Sequence, residues 1–279
     1  MQYLLPADLE SALVAMADGQ WTVMAGGTDF YPARVGRPLT ESVIDLSGLT
    51  ELRGITVAAD HYRIGALTRW ADIRDAQLPR CFDGLRLAAR EVGVVQVQNA
   101  GTIGGNLCNA SPAADGVPPL LTINASVELT SGTGSRVVAL PDFLTAYRQT
   151  ALQPGELLTA VVVPRDAETA VSDFLKLGSR SYLVISIAMV ASAIQVSGDG
   201  VIVEARLAVG ACSPVAKRLA ELEADLLGRN VSDQLELIPA IDHLASLSPI
   251  DDVRASAAYR LEAVVALIRR LLERTRDAT

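Results

Sequence analysis

Two glycine-rich segments carry most of the residues in this chain that could bind a ligand. The longer one, residues 96–121, reads Q-V-Q-N-A-G-T-I-G-G-N-L-C-N-A-S-P-A-A-D-G-V-P-P-L-L, and the shorter one, residues 25–29, reads A-G-G-T-D. Glycine has no Cβ, so backbone N–H groups there can approach a ligand closely. Successive free N–H groups in such turns form anion sites. Two such segments predict a ligand with two phosphates.

The alternative interpretation is that each glycine pair is an ordinary tight turn. The longer segment, however, places five hydrogen-bonding side chains among few charges: Thr102, Asn106, Asn109, Ser111 and Asp115. A plain turn does not need so many, which favours a binding segment. A Rossmann site would show G-x-G-x-x-G between a strand and a helix, with an acid about 20 residues on. No such match occurs, so the commonest NAD-binding architecture is excluded.

Length, composition and charge bound the class of protein. With 279 residues, half of them apolar and a fifth charged, the chain is long enough for one large or two modest globular domains. The formal charge of −8 argues against a nucleic-acid or anionic-membrane partner. The N-terminus lacks a signal-peptide pattern, and the longest apolar run, 182–194, is shorter than the roughly 20 residues of a membrane helix. A cytoplasmic location is therefore expected.

Metal-ligating and nucleophilic residues are sparse. Cys81, Cys108 and Cys212 are odd in number and widely spaced, and His61 and His243 have no ligand cluster beside them. The pattern predicts no disulfide frame, no zinc site and no iron–sulfur cluster on this chain. Because no Ser/His/Asp or Cys/His constellation is found either, no catalytic residue is assigned.

The first 164 residues alternate short helical and strand patterns. Asp8 can cap a helix that ends at Gly19, and a strand over 21–25 leads into the first glycine loop. Thr68 can cap a helix through Ile73. Residues 96–115 are expected to form the principal loop. The remaining elements are strands at 43–46, 61–67, 126–130, 136–139 and 157–163 and helices at 79–92 and 141–147.

The composition changes after Pro164, where a charged, alanine-rich stretch indicates a boundary. Strands are predicted at 172–177, 185–195 and 201–209, followed by leucine stripes at helical spacing from Ala216 onward. The C-terminal part is thus expected to be a small antiparallel sheet with a helical layer.

G-T-I-G-G-N, then N-A-S-P-A-A-D and P-P-L-L, closely resembles the FAD-binding medium subunit of molybdenum-containing hydroxylases of the carbon monoxide and xanthine dehydrogenase type. A-G-G-T-D looks like the other diphosphate loop of that family. The resemblance implies an α+β FAD-binding fold of the vanillyl-alcohol-oxidase/PCMH type over residues 1–166, with subdomains of about 1–55 and 56–166. A C-terminal domain of the CO dehydrogenase flavoprotein type would follow over 167–279.

The family's binding roles carry over position by position. The first segment implies that FAD contacts Met24, Ala25, Gly26, Gly27, Thr28 and Asp29. Backbone N–H groups would hold the diphosphate, and Asp29 would orient the loop. The second segment implies cofactor contacts at Thr102, Gly104, Gly105, Asn106, Cys108, Asn109 and Asp115. Asp115 would accept ribose hydroxyls on the adenosine side, while Cys108 is equally well explained as a small buried filler.

Two later matches point to the flavin ring. L-Q-P-G-E-L-L-T, residues 152–159, would place Leu158 against the ring, and F-L-K-L-G-S-R, residues 174–180, begins the C-terminal domain. Lys176 would then be the cation nearest the flavin, with an ordinary surface lysine as the alternative. Tyr182 aligns where some members place an aromatic residue over the ring.

The resemblance implies an oxidoreductase component. This chain would carry FAD and receive electrons from [2Fe–2S] clusters on a small partner subunit, while a large partner subunit oxidises the substrate at molybdopterin. A heterotrimer, or its dimer, is expected. A free-standing flavin oxidoreductase of the same fold and a flavin-less assembly or binding protein are the alternatives. Neither the substrate nor the final acceptor, whether NAD, quinone or oxygen, follows from the sequence.

Overall fold

The computed structural model describes residues 1–180 and 184–278. Its N-terminal unit contains a small parallel sheet. Its strands are β1 (Tyr3–Leu4), β2 (Thr22–Met24) and β3 (Val43–Asp45), in the order β1-β3-β2. Helix α1 (Leu9–Asp18) connects the first two strands. The Asp8 carboxylate accepts a hydrogen bond from the Ser11 N–H at 2.8 Å, so the predicted cap is confirmed.

A five-stranded antiparallel sheet forms the second unit, in the order β4-β5-β10-β6-β7. Its strands are β4 (Ile55–Val57), β5 (His61–Gly65), β6 (Ser126–Ser131), β7 (Gly134–Ala139) and β10 (Leu157–Pro164). The helices of this unit are α2 (Trp70–Asp75), α3 (Asp83–Glu91), α4 (Val95–Ala100), α5 (Ile103–Asn109), α6 (Val117–Thr122) and α7 (Leu140–Phe143). A two-stranded hairpin of β8 (Leu144–Ala146) and β9 (Gln149–Thr150) follows α7.

Three local predictions in this unit were wrong. Residues 96–115 are not one loop, because α4 and α5 occupy most of that stretch. Thr68 does not cap α2, since its hydroxyl bonds the backbone N–H and carbonyl of Gly54 instead. The helix expected over 141–147 ends at Phe143, and the chain continues as β8.

The C-terminal unit is a four-stranded antiparallel sheet covered by helices. Its strands, in spatial order, are β11 (Val171–Leu177), β12 (Ala188–Val196), β13 (Ile202–Gly210) and β14 (Lys217–Arg218). Helices α8 (Ala220–Leu226) and α9 (Ala257–Ala278) bury leucine and isoleucine side chains against the sheet. The leucine stripe near residue 235 forms only a short 3₁₀ turn, Leu235–Leu237.

The two larger units share buried contacts. Ala193 of β12 and Ala208 of β13 belong to the same apolar core as the helices of the second unit. A Cβ at Gly84 of α3 would lie 2.9 Å from the Asp173 carbonyl oxygen of β11, so helix and strand approach closely there. The α+β fold expected from the sequence is confirmed. Within the described residues, no helix is both long and apolar enough to cross a membrane.

Candidate cofactor site

A cleft of about 520 Å³ lies between the first two units. Both glycine segments contribute to its lining, together with Leu157 and Leu158 at the start of β10. This volume falls within the usual range of small-molecule sites. A smaller cavity of about 250 Å³ adjoins it and shares Ala25, Gly26 and Thr102 with it.

The first segment offers unused backbone donors. It follows β2 directly, and Gly27 has a φ of +71°, which favours glycine. The backbone N–H groups of Gly26, Gly27 and Thr28 have no hydrogen-bond partner within the described part of the chain. A run of free backbone N–H groups that faces a cleft suits an anionic group. All six residues predicted in this segment line the cleft.

Gly26 also has a structural role that the sequence did not indicate. A Cβ at this position would lie 1.9 Å from the carbonyl oxygen of Ala100. The two glycine segments therefore pack backbone against backbone, which only glycine permits at this distance.

The second segment uses its backbone N–H groups within the protein. Thr102 caps α5, its hydroxyl accepting from the Gly105 N–H at 3.1 Å. The Gly104 N–H donates to the Ala66 carbonyl at 2.8 Å, and the Asn106 N–H donates to the Thr102 carbonyl at 3.0 Å. This segment consequently meets a ligand mainly through its surface and side chains, rather than through a second set of free donors.

Asn106 supplies an unsatisfied acceptor beside the cleft. Its Oδ1 is buried and has no hydrogen-bond partner in the described structure, although Asn106 belongs to the cleft lining. Buried polar atoms without partners are rare in folded proteins, and a ligand hydroxyl or imino group is one partner that would satisfy this oxygen. Cys108 lines the cleft and is accessible to solvent, which favours ligand contact over the buried-filler interpretation, although the surrounding protein desolvates the thiol and raises its pKa to about 12.

Asp115 and Lys176 form a buried ion pair outside the cleft lining. Lys176 Nζ lies 2.6 Å from one Asp115 oxygen, and Ser186 Oγ donates to the other oxygen at 2.7 Å. Burial raises the pKa of the Asp115 carboxyl, and Lys176 opposes that rise. Lys176 is thus not an ordinary surface lysine.

This contact changes the predicted roles of the pair. The sequence predicted Asp115 at the adenosine side and Lys176 at the flavin ring, whereas the structure brings the two side chains into direct contact. Lys176 also donates to the carbonyl of Glu91 at 3.3 Å, which puts it next to Val92, an apolar residue of the cleft lining. Tyr182 lies outside the described residues.

Several contributors to the site gave no sequence signal. The indole of Trp70 is buried under the second segment, where a Cβ at Gly116 would lie 2.4 Å from it. Glu156 lines the cleft, and the Arg136 guanidinium holds the pKa of that carboxyl below its ordinary value. Arg148 contacts Asp29 of the first segment and Asn109 of the second.

Comparisons with known proteins show the family of this chain. Residues 1–166 match the family model described as the FAD binding domain in molybdopterin dehydrogenase. Residues 173–275 match the CO dehydrogenase flavoprotein C-terminal domain.

The chain belongs to this family of FAD-binding subunits. It is 32% identical to the glyceraldehyde dehydrogenase medium chain of Sulfolobus acidocaldarius, covering 95% of this chain and 94% of the relative. It is also 32% identical to the nicotinate dehydrogenase FAD-subunit of Eubacterium barkeri, covering 97% and 94%. Quinoline 2-oxidoreductase from Pseudomonas putida 86 contains a chain that superimposes with a TM-score of 0.91, at 25% identity and over 100% and 97% of the two chains.

The cofactor of the family fits the residues present. A diphosphate would meet the free N–H groups of Gly26, Gly27 and Thr28, and a ligand donor would satisfy Asn106 Oδ1. Leu158 and Val92 give part of the cleft an apolar wall suited to an aromatic ring. FAD offers all three features.

Proposed function

We propose that this chain is the electron-transfer subunit of a multi-subunit molybdenum hydroxylase. It holds FAD, receives electrons from [2Fe–2S] clusters on a small partner subunit and delivers them to an external acceptor. A large partner subunit with molybdopterin oxidises the substrate. The observation that carries this proposal is the convergence of both glycine segments on one cleft of the family's FAD-binding fold.

The residues near the cleft support a binding role rather than acid–base catalysis. Bound FAD would supply the redox chemistry, and the protein would supply position and electrostatics. The 13 lining residues proposed to contact FAD are Met24, Ala25, Gly26, Gly27, Thr28, Asp29, Thr102, Gly104, Gly105, Asn106, Cys108, Asn109 and Leu158. We place the Asp115–Lys176 pair behind the ring end because Lys176 is anchored beside Val92.

The relatives support a place in a larger complex. Several of them are named as medium chains or FAD subunits, which implies further subunits in those proteins. This chain has three cysteines, fewer than the four thiolates that an iron–sulfur cluster normally needs, so the clusters would have to belong to partners.

The test is to isolate the tagged full chain from the organism that naturally produces it. The proposal predicts co-purification of two further subunits with stoichiometric iron and molybdenum, and flavin reduction by substrate only in the assembled complex. A chain that purifies alone and whose flavin is reduced directly by an organic substrate would instead be a free-standing flavin oxidoreductase.

A further inference from the structure

Arg148 occupies an unusual position at the rim of the cleft. It sits at the tip of the β8–β9 hairpin with a φ of +56°, a conformation that residues other than glycine seldom adopt. Its backbone N–H donates to the carbonyl of Ala110 at 3.1 Å, immediately after α5. The hairpin tip is thereby held against the second segment just after α5, and the arginine side chain contacts two residues of the cleft lining, Asp29 and Asn109, without being part of that lining itself.

The guanidinium joins the two glycine segments. Nη1 donates to the Asp29 carboxylate at 3.1 Å, and it also contacts the side-chain oxygen and the backbone carbonyl of Asn109. Asp29 and Asn109 both line the cleft. One side chain from a third element therefore bridges two residues that lie 119 and 39 positions before it in the chain.

The remaining donors of this guanidinium are unused. Every contact that Arg148 makes with its side chain passes through Nη1, so Nε and Nη2 have no partner within residues 1–180 and 184–278. Arginine presents its donors as a rigid planar fork that matches phosphate oxygens. Anchoring through one nitrogen leaves that fork available to a ligand.

The charged residues that line the cleft include one carboxylate whose charge a cation from outside the lining, Arg148, neutralises. Arg34 is the lining arginine, and its charge is matched by Glu41 at 2.6 Å. Glu156 is matched by Arg136 at 2.6 Å. Asp29 is the third charged residue of the lining, and its carboxylate would repel a diphosphate placed against the first segment.

We propose that Arg148 is a cofactor-binding residue that neutralises Asp29 and donates to the FAD diphosphate through Nε and Nη2. This inference rests on the proposed FAD-binding function and adds a residue from a third element to the two glycine segments.

The experiment measures FAD affinity of the deflavinated full chain by quenching of flavin fluorescence, as a function of NaCl concentration. Arg148→Met should bind FAD about 10- to 100-fold more weakly, the scale for a charged hydrogen bond. Arg148→Gly should lose a similar amount, although glycine accepts the backbone conformation better than arginine does. In both variants the dependence of affinity on NaCl should differ clearly from that of the wild type, because a cation near phosphate is screened by salt.

Arg165→Met is the matched control. Arg165 has a similar side-chain exposure, 39% against 41%, and pairs with Glu168 away from the cleft. Its variant should bind FAD within about twofold of wild type. Wild-type affinity in Arg148→Met, or a loss of affinity with unchanged salt dependence, would overturn the assignment of Arg148 while leaving FAD binding intact. Failure of the wild type to bind FAD would overturn the proposed function itself.

Discussion

Gly104 and Gly105 are adjacent in α5 but face different surroundings. A Cβ at Gly104 would lie 2.8 Å from both the Cβ and the carbonyl oxygen of Ala66, so this glycine lets the helix approach the neighbouring backbone. Gly105 is exposed to the cleft, where a Cβ would meet only the Thr102 hydroxyl, at 2.9 Å. Gly104 is therefore needed for packing against the neighbouring backbone, and we expect Gly105 to be needed for ligand binding.

This difference predicts distinct phenotypes for two substitutions. Gly104→Ala should lower the free energy of unfolding by about 1–3 kcal/mol through overpacking. Gly105→Val should lower that free energy by about 1 kcal/mol, because its Cβ displaces the capping hydroxyl of Thr102, and should abolish FAD binding, because its side chain would fill cleft space. Urea denaturation and flavin titration of both variants provide the measurements. Normal FAD occupancy in Gly105→Val would show that the cofactor does not approach this surface.

The Asp115–Lys176 pair is expected to contribute strongly to stability. The two side chains are only 8% and 6% exposed, so removing one leaves a buried charge without its counter-ion. Asp115→Ala should lower the free energy of unfolding by about 3–5 kcal/mol. Asp75→Ala, which breaks the pair of a largely exposed carboxylate with Arg74, should cost no more than about 1 kcal/mol. Equal effects of the two variants in urea denaturation would contradict the view of a buried, tightly coupled pair.

At the level of elements, amphipathic segments could be predicted from the sequence and the glycine-rich ones could not. The apolar stripe over residues 261–272 is regular, and α9 forms there as expected. Residues 95–109 contain glycine and asparagine, which favour loops, yet they form α4 and α5. Burial of Ile103 and Leu107 in the core and the Thr102 cap stabilise α5, and such tertiary contacts are invisible in local composition.

The start of α9 is fastened to the C-terminal sheet by one buried arginine. Arg260 donates to the carbonyls of Ile187 and Ala211, at the adjacent ends of β12 and β13, and to Asp252 at 2.8 Å. Partial burial raises the pKa of the Asp252 carboxyl, but hydrogen bonds from Arg254, Ala255 and Arg260 outweigh it and hold that pKa at about 2. The ionised form is therefore favoured in the folded state.

We expect the low pKa of the Asp252 carboxyl to make the free energy of unfolding sensitive to acid. Because its pKa is lower in the folded than in the unfolded chain, its stabilisation is complete above pH 4 and is lost as the pH falls toward 2. Asp252→Asn should lower the free energy of unfolding at pH 7 by about 1–3 kcal/mol. The difference from wild type should shrink as the pH falls from 4 to 2. A difference that stays constant over that interval would remove Asp252 from the acid response.

At the level of the whole molecule, the predicted site residues converge far better than their separation in sequence suggests. The two glycine segments are separated by the 66 residues 30–95 and still share one cleft. The motifs identified them because each has a local pattern. Trp70, Arg148 and Ser186 have no such pattern, and they reach the site or its buried ion pair only through the arrangement of all three units.

The central claim is that this chain holds FAD in the cleft between its glycine segments. The most direct test is the flavin content of the purified full chain, measured by its absorbance spectrum and by identification of the flavin released by acid. We expect an equimolar amount of FAD, or its uptake to that level when FAD is added. A colourless chain that also fails to take up added FAD would contradict the account.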